Sequence, residues 1–196
     1  MTFIIGLTGS IGMGKSTTAQ FFAEEGCAVW DADAAVHRLY GAGGAAVAPM
    51  KDAFPEAVTD EFVSREKLKE ILRQQPDALK DIERIVHPLV AQDRADFLQN
   101  SESDIVVFDI PLLFETGADQ SMHATVCVTI DAKTQKARVM ARGKMTEQDF
   151  QTIMAKQMPD AEKREKADYV VVTDSVDHAR AQVQAIVREI RETRDA

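Results

Sequence analysis

The chain contains 196 residues, of which 45% are hydrophobic and 28% are charged, and its formal net charge is -9. This length is typical of one α/β domain with insertions. The acidic balance argues against nucleic acid as a partner, because non-specific nucleic-acid binding needs a basic surface. No apolar run reaches the ~18 residues of a membrane helix, and the apolar segment at Phe3 leaves no room for a signal peptide. We therefore expect a cytoplasmic protein without a membrane partner, in which Cys27 and Cys127 are buried, reduced thiols.

Five short apolar runs, separated by helical stretches, predict a parallel sheet. Strands that are apolar on both faces are typical of parallel sheets covered by helices on both sides. Ligands of such sheets bind beyond the carboxyl ends of the strands. The runs are residues 3–7, 27–30, 105–108, 125–130 and 169–172. The predicted fold class is therefore α/β, with the functional groups at the strand ends.

Residues 9–16, Gly-Ser-Ile-Gly-Met-Gly-Lys-Ser, lie between the first apolar run and a helical pattern over 15–25 that Gly26 closes. They fit G-x-x-x-x-G-K-[ST], the loop that binds nucleotide phosphates. Its glycines let successive backbone N–H groups point at one anion, its lysine reaches the β- and γ-phosphates, and its serine hydroxyl binds Mg²⁺. The residues predicted to hold ATP in this loop are Gly12, Met13, Gly14, Lys15, Ser16 and Thr17.

Asp109 directly follows the third apolar run and is a natural water-mediated partner for Mg²⁺ held by Ser16. A simple strand-end carboxylate is the alternative. The phosphate loop alone does not separate kinases, ATPases, GTPases and regulators. A GTPase would need D-x-x-G after this strand and N-K-x-D elsewhere, but Asp109 is followed by Ile-Pro-Leu and N-K-x-D does not occur. A small domain with two helical insertions favours a kinase that closes over two small substrates.

Asp31 and Asp33 follow the second apolar run, which in a doubly wound sheet is expected to lie beside the phosphate loop. Asp31 fits the N-cap position of the next helix. Asp33 is then available to accept a hydrogen bond from an attacking hydroxyl and to take its proton, the base role by which kinases orient an alcohol. A second capping carboxylate is the alternative for Asp33.

Residues 34–100 are too many for one crossover helix and predict a helical subdomain that holds a second substrate. Ser64 begins one helix as an imperfect capping box, with Lys67 at the position that Glu usually holds. Pro88 lies inside a further helical pattern and predicts a break or kink near His87. His87 is a candidate for lining a substrate pocket there, and a structural histidine is the alternative.

A second insertion, residues 133–166, begins with a cationic helix that Gly143 breaks, and another helix follows. Basic, glycine-hinged segments over a phosphate site commonly act as lids. Arg138 and Arg142 are four residues apart and share a helix face that suits a transferring phosphoryl group. A solvated charged face is the alternative. The closing helix, predicted over 175–193, has one apolar face and is structural.

These segments together resemble the dephospho-coenzyme A kinase family over nearly the whole chain. The resemblance is carried by the loop at 6–17, Asp31-Ala32-Asp33, His87-Pro88-Leu89-Val90, Pro111-Leu112-Leu113-Phe114-Glu115, and Gln157-Met158-Pro159 followed by Ala167-Asp168-Tyr169. It implies a P-loop fold like that of nucleoside monophosphate kinases, with a five-stranded parallel sheet between helices. It also implies transfer of the ATP γ-phosphoryl group to the ribose 3′-hydroxyl of dephospho-coenzyme A, the last step of coenzyme A synthesis.

The resemblance also implies domains and site residues. The nucleotide-binding core would comprise 1–33, 101–132 and 167–196, the helical coenzyme A subdomain 34–100, and the lid 133–166. Asp33 would act on the 3′-hydroxyl, and Arg142 matches the family's lid arginine near the ATP phosphates and adenine. The residues expected to bind the acceptor are Asp33, His37, Arg38, His87, Pro88, Leu112, Leu113 and Glu115.

Four positions depart from the family's usual pattern. Ser10 replaces a common glycine, and Gly143 replaces a common aspartate after the lid arginine. Thr173 stands where an asparagine often frames adenine. His37 stands where an arginine is frequent, with Arg38 beside it, so either side chain is a candidate for contacting the acceptor.

Two other functions fit the residues without the resemblance. One is a different small-molecule kinase that acts on a nucleotide, a nucleoside or a shikimate-like alcohol. The other is a nucleotide-binding regulatory module that hydrolyses ATP slowly. A monomer is the default expectation, and a trimer stays open.

Overall fold

The computed structural model describes residues 2–195, and its backbone divides into two compact units. The first unit contains the chain up to Trp30 and from Glu102 onward, and the second contains Asp31–Ser101. The strands are β1 (Phe3–Thr8), β2 (Ala28–Asp31), β3 (Val58–Thr59), β4 (Phe62–Val63), β5 (Ile105–Asp109), β6 (Ala124–Thr129) and β7 (Tyr169–Val172). The helices are α1 (Lys15–Glu24), α2 (Ala32–Tyr40), α3 (Val47–Ala53), α4 (Arg65–Gln74), α5 (Ala78–Asn100), α6 (Ala132–Ala141), α7 (Glu147–Lys156), α8 (Asp160–Lys166) and α9 (Val176–Asp195).

The first unit is built on a parallel sheet whose order, within residues 2–195, is β2-β5-β1-β6-β7. Strand β1 is central and pairs in parallel with β5 and with β6, and β7 extends the sheet beyond β6. Every residue of β5 and β6 is buried, as expected for strands that helices cover on both faces. The predicted α/β fold with five parallel strands is confirmed.

Helices α1 and α9 pack against each other and share one apolar core with the sheet. The N–H of Gly26 bonds to the carbonyl of Ala23 at 3.0 Å, so α1 ends where the sequence predicts. Burial of each large aliphatic side chain contributes about 1.5–3 kcal/mol to stability. The buried face of α9 consists of Ala179, Val183, Ile186, Val187 and Ile190, which confirms the predicted apolar face that packs in the core.

The second unit has an apolar core of its own, to which all four of its helices contribute. Ser64 Oγ accepts a hydrogen bond from the N–H of Lys67 at 3.4 Å and caps α4 as predicted. Helix α5 continues without interruption through Pro88, so the predicted break near His87 does not occur. A proline removes one intrahelical hydrogen bond, and the burial of Ile82 and Val86 in this core keeps the preceding turns in place.

The hairpin β3–β4 in the second unit was not predicted from the sequence. Its tip is formed by Asp60 and Glu61, whose φ angles are 47° and 66°. Two-residue turns with positive φ usually contain Asn or Gly, so this pair of acidic residues gives no hairpin signal.

Residues 133–166 belong to the first unit and contain most of α6, all of α7 and all of α8. Asp131 caps α6 by accepting the N–H of Thr134 at 2.9 Å. Gly143 follows α6 with a φ of 63°, and Thr146 with Asp149 forms the capping box of α7. The described residues include no helix with both the length and the hydropathy of a membrane span.

Candidate active site

The phosphate loop connects β1 to α1, and two of its glycines have backbone conformations that other residues rarely adopt. The φ angle is 80° at Gly12 and 95° at Gly14, the residue that precedes α1. A Cβ atom on Gly12 would lie 2.5 Å from Cγ2 of Val139, so this position has no space for a side chain. The turn brings the first N–H groups of α1 to the carboxyl end of β1, where the helix dipole favours an anion.

Ser10 and Met13 give the loop its shape. The N–H of Met13 donates to the carbonyl of Ser10 at 3.2 Å, and the Met13 thioether accepts the N–H of Ile130 at 3.2 Å. Ser10 is 2% exposed, and its Oγ has no hydrogen-bond partner among the described residues. The side chain of Met13 is therefore a support of the loop rather than a group that faces a ligand.

Lys15 and Asp109 lie together at the centre of the site. Lys15 Nζ forms an ion pair with Asp109 Oδ1, and the two side chains are 15% and 2% exposed. Asp109 ends β5, which is the neighbour of β1 in the sheet. Ser16, the next residue on α1, is exposed. The structure thus brings together the lysine predicted for the phosphates and the carboxylate predicted for the metal.

Three side chains from distant parts of the chain hold the phosphate loop in place. These contacts were not predicted from the sequence. Gln135 Nε2 donates to the carbonyl of Ile11 at 2.8 Å, and Gln157 Oε1 accepts the N–H of the same residue at 3.4 Å. Thr173 Oγ1 donates to the carbonyl of Met13 at 2.6 Å. Bonds from a side chain to a distant backbone leave no local pattern, so no sequence signal was available for them.

Arg138 and Arg142 both line a cavity of about 280 Å³ beside the phosphate loop. Arg138 is fixed, because its guanidinium donates to Oγ1 and to the carbonyl oxygen of Thr173 at 3.0 and 2.7 Å. Arg142 is exposed at the end of α6. Other walls of the cavity are formed by Gly12, Gly14, Thr17, Phe21, Val176 and Ala179. Arg138 therefore forms a fixed part of the cavity wall, whereas Arg142 is available to a ligand.

The loop that follows β5 carries three residues predicted to bind the acceptor. Leu112 is 41% exposed, whereas Leu113 is fully buried, so of the two leucines only Leu112 presents its side chain to solvent. Glu115 Oε1 accepts the N–H of Met158 at 2.8 Å and lies 2.9 Å from Lys163 Nζ. Burial alone would raise the pKa of Glu115, but the hydrogen bonds from Lys163 and from the Met158 N–H lower it below its usual value. Glu115 is thus engaged in contacts within the protein.

The other predicted acceptor residues lie on α2 and α5 of the second unit. Asp31 Oδ1 accepts the N–H of Ala34 at 2.8 Å, which confirms that Asp31 caps α2. Asp33 is exposed in the first turn of the same helix. Because Asp31 supplies the cap, α2 does not need the carboxylate of Asp33 for this purpose.

His37 and Arg38 differ in their surroundings. His37 is exposed and lines a groove of about 530 Å³ within the second unit. Arg38 donates to Asp93 Oδ1 of α5 at 2.6 Å. His87 and Pro88 are exposed on α5.

A family model described as dephospho-CoA kinase matches residues 3–178. The chain belongs to the dephospho-CoA kinase family.

Individual relatives match this kinase over almost its full length. A dephospho-CoA kinase of Ruegeria pomeroyi is 67% identical over 191 residues, which are 97% of each of the two chains. A dephospho-CoA kinase of Cereibacter sphaeroides is 53% identical over 99% of this chain and 98% of its own. The crystal structure of TT1252 from Thermus thermophilus superimposes with a TM-score of 0.85 at 33% identity, over 96% of this chain and 97% of that one.

Membership in the family makes the protein a transferase that uses ATP to phosphorylate dephospho-CoA to coenzyme A. The two alternatives were a small-molecule kinase that acts on another acceptor and a regulatory module that has no acceptor. Membership in the dephospho-CoA kinase family excludes both.

The two thiols of the kinase are predicted to be unreactive in the folded state. Cys27 and Cys127 are 5% and 0% exposed, and burial raises the pKa of each to about 12. Only the thiolate is nucleophilic, so we expect iodoacetamide at pH 8 to leave the native kinase unlabelled and to label both sites in guanidinium chloride. Mass spectrometry of the intact protein counts the labels. Rapid labelling of either thiol in the native kinase would contradict its burial.

Proposed function

We propose that this kinase transfers the γ-phosphoryl group of ATP to the ribose 3′-hydroxyl of dephospho-coenzyme A, giving coenzyme A and ADP. The observation that carries the proposal is the phosphate loop with Lys15 against Asp109, in a chain that matches the family model from residue 3 to residue 178. A loop of this kind holds a nucleoside triphosphate by its phosphates, and the family supplies the acceptor.

The donor half of the site lies in the first unit. The backbone from Gly12 to Thr17 holds the ATP phosphates, and Lys15 reaches the β- and γ-phosphates from its position beside Asp109. Arg142 contributes its guanidinium from the wall of the 280 Å³ cavity, which Arg138 stiffens through Thr173. The apolar part of the same cavity, formed by Phe21, Val176 and Ala179, suits the flat face of a base.

Mg²⁺ fits the groups at this end of the sheet. The Ser16 hydroxyl and the Asp109 carboxylate are oxygen ligands of the kind that Mg²⁺ prefers, and in phosphoryl-transfer sites one or two protein groups act together with phosphates and waters. The described residues contain no group of three or more His, Cys, Asp or Glu side chains arranged to hold a metal by themselves, which agrees with an ion that binds together with the nucleotide. Bound there, Mg²⁺ would neutralise charge on the phosphates.

Asp33 acts as the base of the reaction. It takes the proton of the 3′-hydroxyl while the oxygen attacks the γ-phosphorus, and the bond from that phosphorus to the β–γ bridging oxygen breaks as ADP leaves. Lys15 and Arg142 stabilise the negative charge that develops on the phosphoryl oxygens. Support for this role comes from Asp31, which supplies the cap of α2 and leaves Asp33 exposed.

The acceptor is held by the exposed side chains among those that the resemblance implies. Besides Asp33, these are His37, His87, Pro88 and Leu112, whereas Arg38 and Glu115 are also exposed but each forms an ion pair within the protein. Arg38 is paired with Asp93, so we assign the direct contact to His37. Leu113 shapes the loop from the core, in which it is buried, and Glu115 shapes it through its ion pair with Lys163.

We also infer that the kinase works as a monomer in the cytoplasm. Each of its two units has its own apolar core, and its buried free thiols suit a reducing compartment. Light scattering from the purified protein is expected to give the mass of one chain, 21.6 kDa. A mass of three chains would establish the trimer instead.

A coupled assay of ADP release tests the acceptor. With ATP and Mg²⁺ present, dephospho-CoA is expected to stimulate ADP release strongly, whereas shikimate and nucleoside monophosphates are not. Equal release with and without dephospho-CoA would contradict the proposed function.

A further inference from the structure

Lys163 is a buried lysine in an otherwise accessible helix. Its side chain is 0% exposed, and it is the buried residue of α8, which is rich in charge. An ammonium group in a protein interior is strongly destabilising unless it is paired and hydrogen-bonded. The partners of Lys163 therefore indicate what the buried charge does.

The partners of Lys163 are the two ends of the loop that follows β5. Nζ donates to the carbonyl oxygen of Pro111 at 3.1 Å and lies 2.9 Å from Oε1 of Glu115. One ammonium thus joins the first and the last residue of the segment 111–115. Between these two ends lie Leu112, which is exposed, and Leu113, which is fully buried.

Further hydrogen bonds fasten the same loop to the sheet and to the segment before α8. Pro111 O also accepts the hydroxyl of Thr8 at 3.0 Å, and Thr8 is the last residue of β1 before the phosphate loop. Glu115 Oε1 also accepts the N–H of Met158 at 2.8 Å. Lys163 is therefore the group that joins both fastened ends of the loop to each other.

We propose that Lys163 is a positioning residue for the acceptor, because its buried ammonium clamps Pro111 to Glu115 and so holds Leu112 in the place that dephospho-CoA binding requires. This inference rests on the proposed function, in which the loop borders the acceptor. Lys163 itself touches neither substrate. A misplacement of about 1 Å in a positioned group lowers the rate by about 10²-fold, so a clamp outside the reacting centre has a large effect on turnover.

The test uses Lys163→Met, Glu115→Gln and the double variant, each as the full chain. Both single variants are expected to lower kcat/KM for dephospho-CoA, Lys163→Met by about 10²-fold, and to leave KM for ATP unchanged. The double variant is expected to lose no more activity than the more impaired single variant, because both changes break the same clamp. It is also expected to melt at a higher temperature than Lys163→Met, since it leaves no unpaired carboxylate beside the methionine.

Val183→Ala is the control for a loss of stability alone. Val183 is fully buried in α9 and does not belong to this loop. This variant is expected to lower the melting temperature without changing KM for either substrate. If Lys163→Met does not fold, Glu115→Gln and the double variant carry the test, because a glutamine oxygen still accepts the N–H of Met158.

Two results would overturn the clamp. One is a wild-type KM and kcat for dephospho-CoA in folded Glu115→Gln and double variants. The other is a double variant whose losses multiply, which would mean that Glu115 contacts the acceptor independently of Lys163. Either result leaves the proposed function intact if the wild-type kinase phosphorylates dephospho-CoA. A wild-type chain without that activity would overturn the proposed function and, with it, the role of the clamp.

Discussion

Asp33→Asn is expected to lower kcat by about 10²–10⁴-fold, the range that general base catalysis contributes. Asparagine keeps the size of the side chain but does not take a proton from the 3′-hydroxyl. Asp33 is exposed and is not the cap of α2, so the melting temperature and KM for ATP should remain those of the wild type. Initial rates of ADP release at saturating ATP and dephospho-CoA give the measurement.

Asp31→Asn is the matched control for Asp33→Asn. The two aspartates are two positions apart, and Asp31 serves as the N-cap of α2. Asparagine is as good an N-cap as aspartate, so this variant should keep both stability and kcat. Near wild-type turnover by Asp33→Asn would refute the assignment of the base. Equal losses in both variants would point to a local structural effect instead.

Lys15→Met is expected to lower kcat/KM for ATP by about 10²–10³-fold, the usual effect of removing one group that stabilises transition-state charge. The variant should also unfold at a lower temperature, because Asp109 is 2% exposed and loses the ammonium beside it. Initial rates at varied ATP, together with thermal unfolding followed by circular dichroism, separate the two effects.

Lys136→Met is the control for the loss of a positive charge outside the phosphate loop. Lys136 lies on α6, is 45% exposed and pairs with Glu147. Exposed pairs contribute only about 0–1 kcal/mol, so both its activity and its stability should stay close to those of the wild type. A Lys15→Met enzyme with the ATP kinetics of the Lys136→Met enzyme would show that the loop does not bind the phosphates as proposed.

The fold was predictable because its signals are local. The runs that became β5 and β6 are apolar at most positions, which is typical of strands covered on both faces. Helix ends were readable where a cap follows a known pattern, as at Asp31 and Ser64. The uninterrupted α5 shows the limit of such rules, because tertiary packing keeps a helix intact through Pro88.

The candidate site was predictable only in part, because much of it depends on contacts between distant residues. The glycine pattern identified the phosphate loop, and the parallel sheet placed Asp109 at a neighbouring strand end, beside Lys15. The anchors of the loop and the clamp of Lys163 have no such signal. In the sequence, Lys163 is one charge among several in a short helix, and only the folded chain shows that it is buried.

The position of the phosphate in the product shows whether the ribose 3′-hydroxyl of dephospho-CoA is the acceptor. The kinase is incubated with ATP, Mg²⁺ and dephospho-CoA, and the product is examined by phosphorus NMR and mass spectrometry. We expect one new phosphomonoester on the ribose 3′-oxygen, formed in equal amount to ADP. A phosphate at another position, or ADP formed without any phosphorylated acceptor, would contradict this expectation.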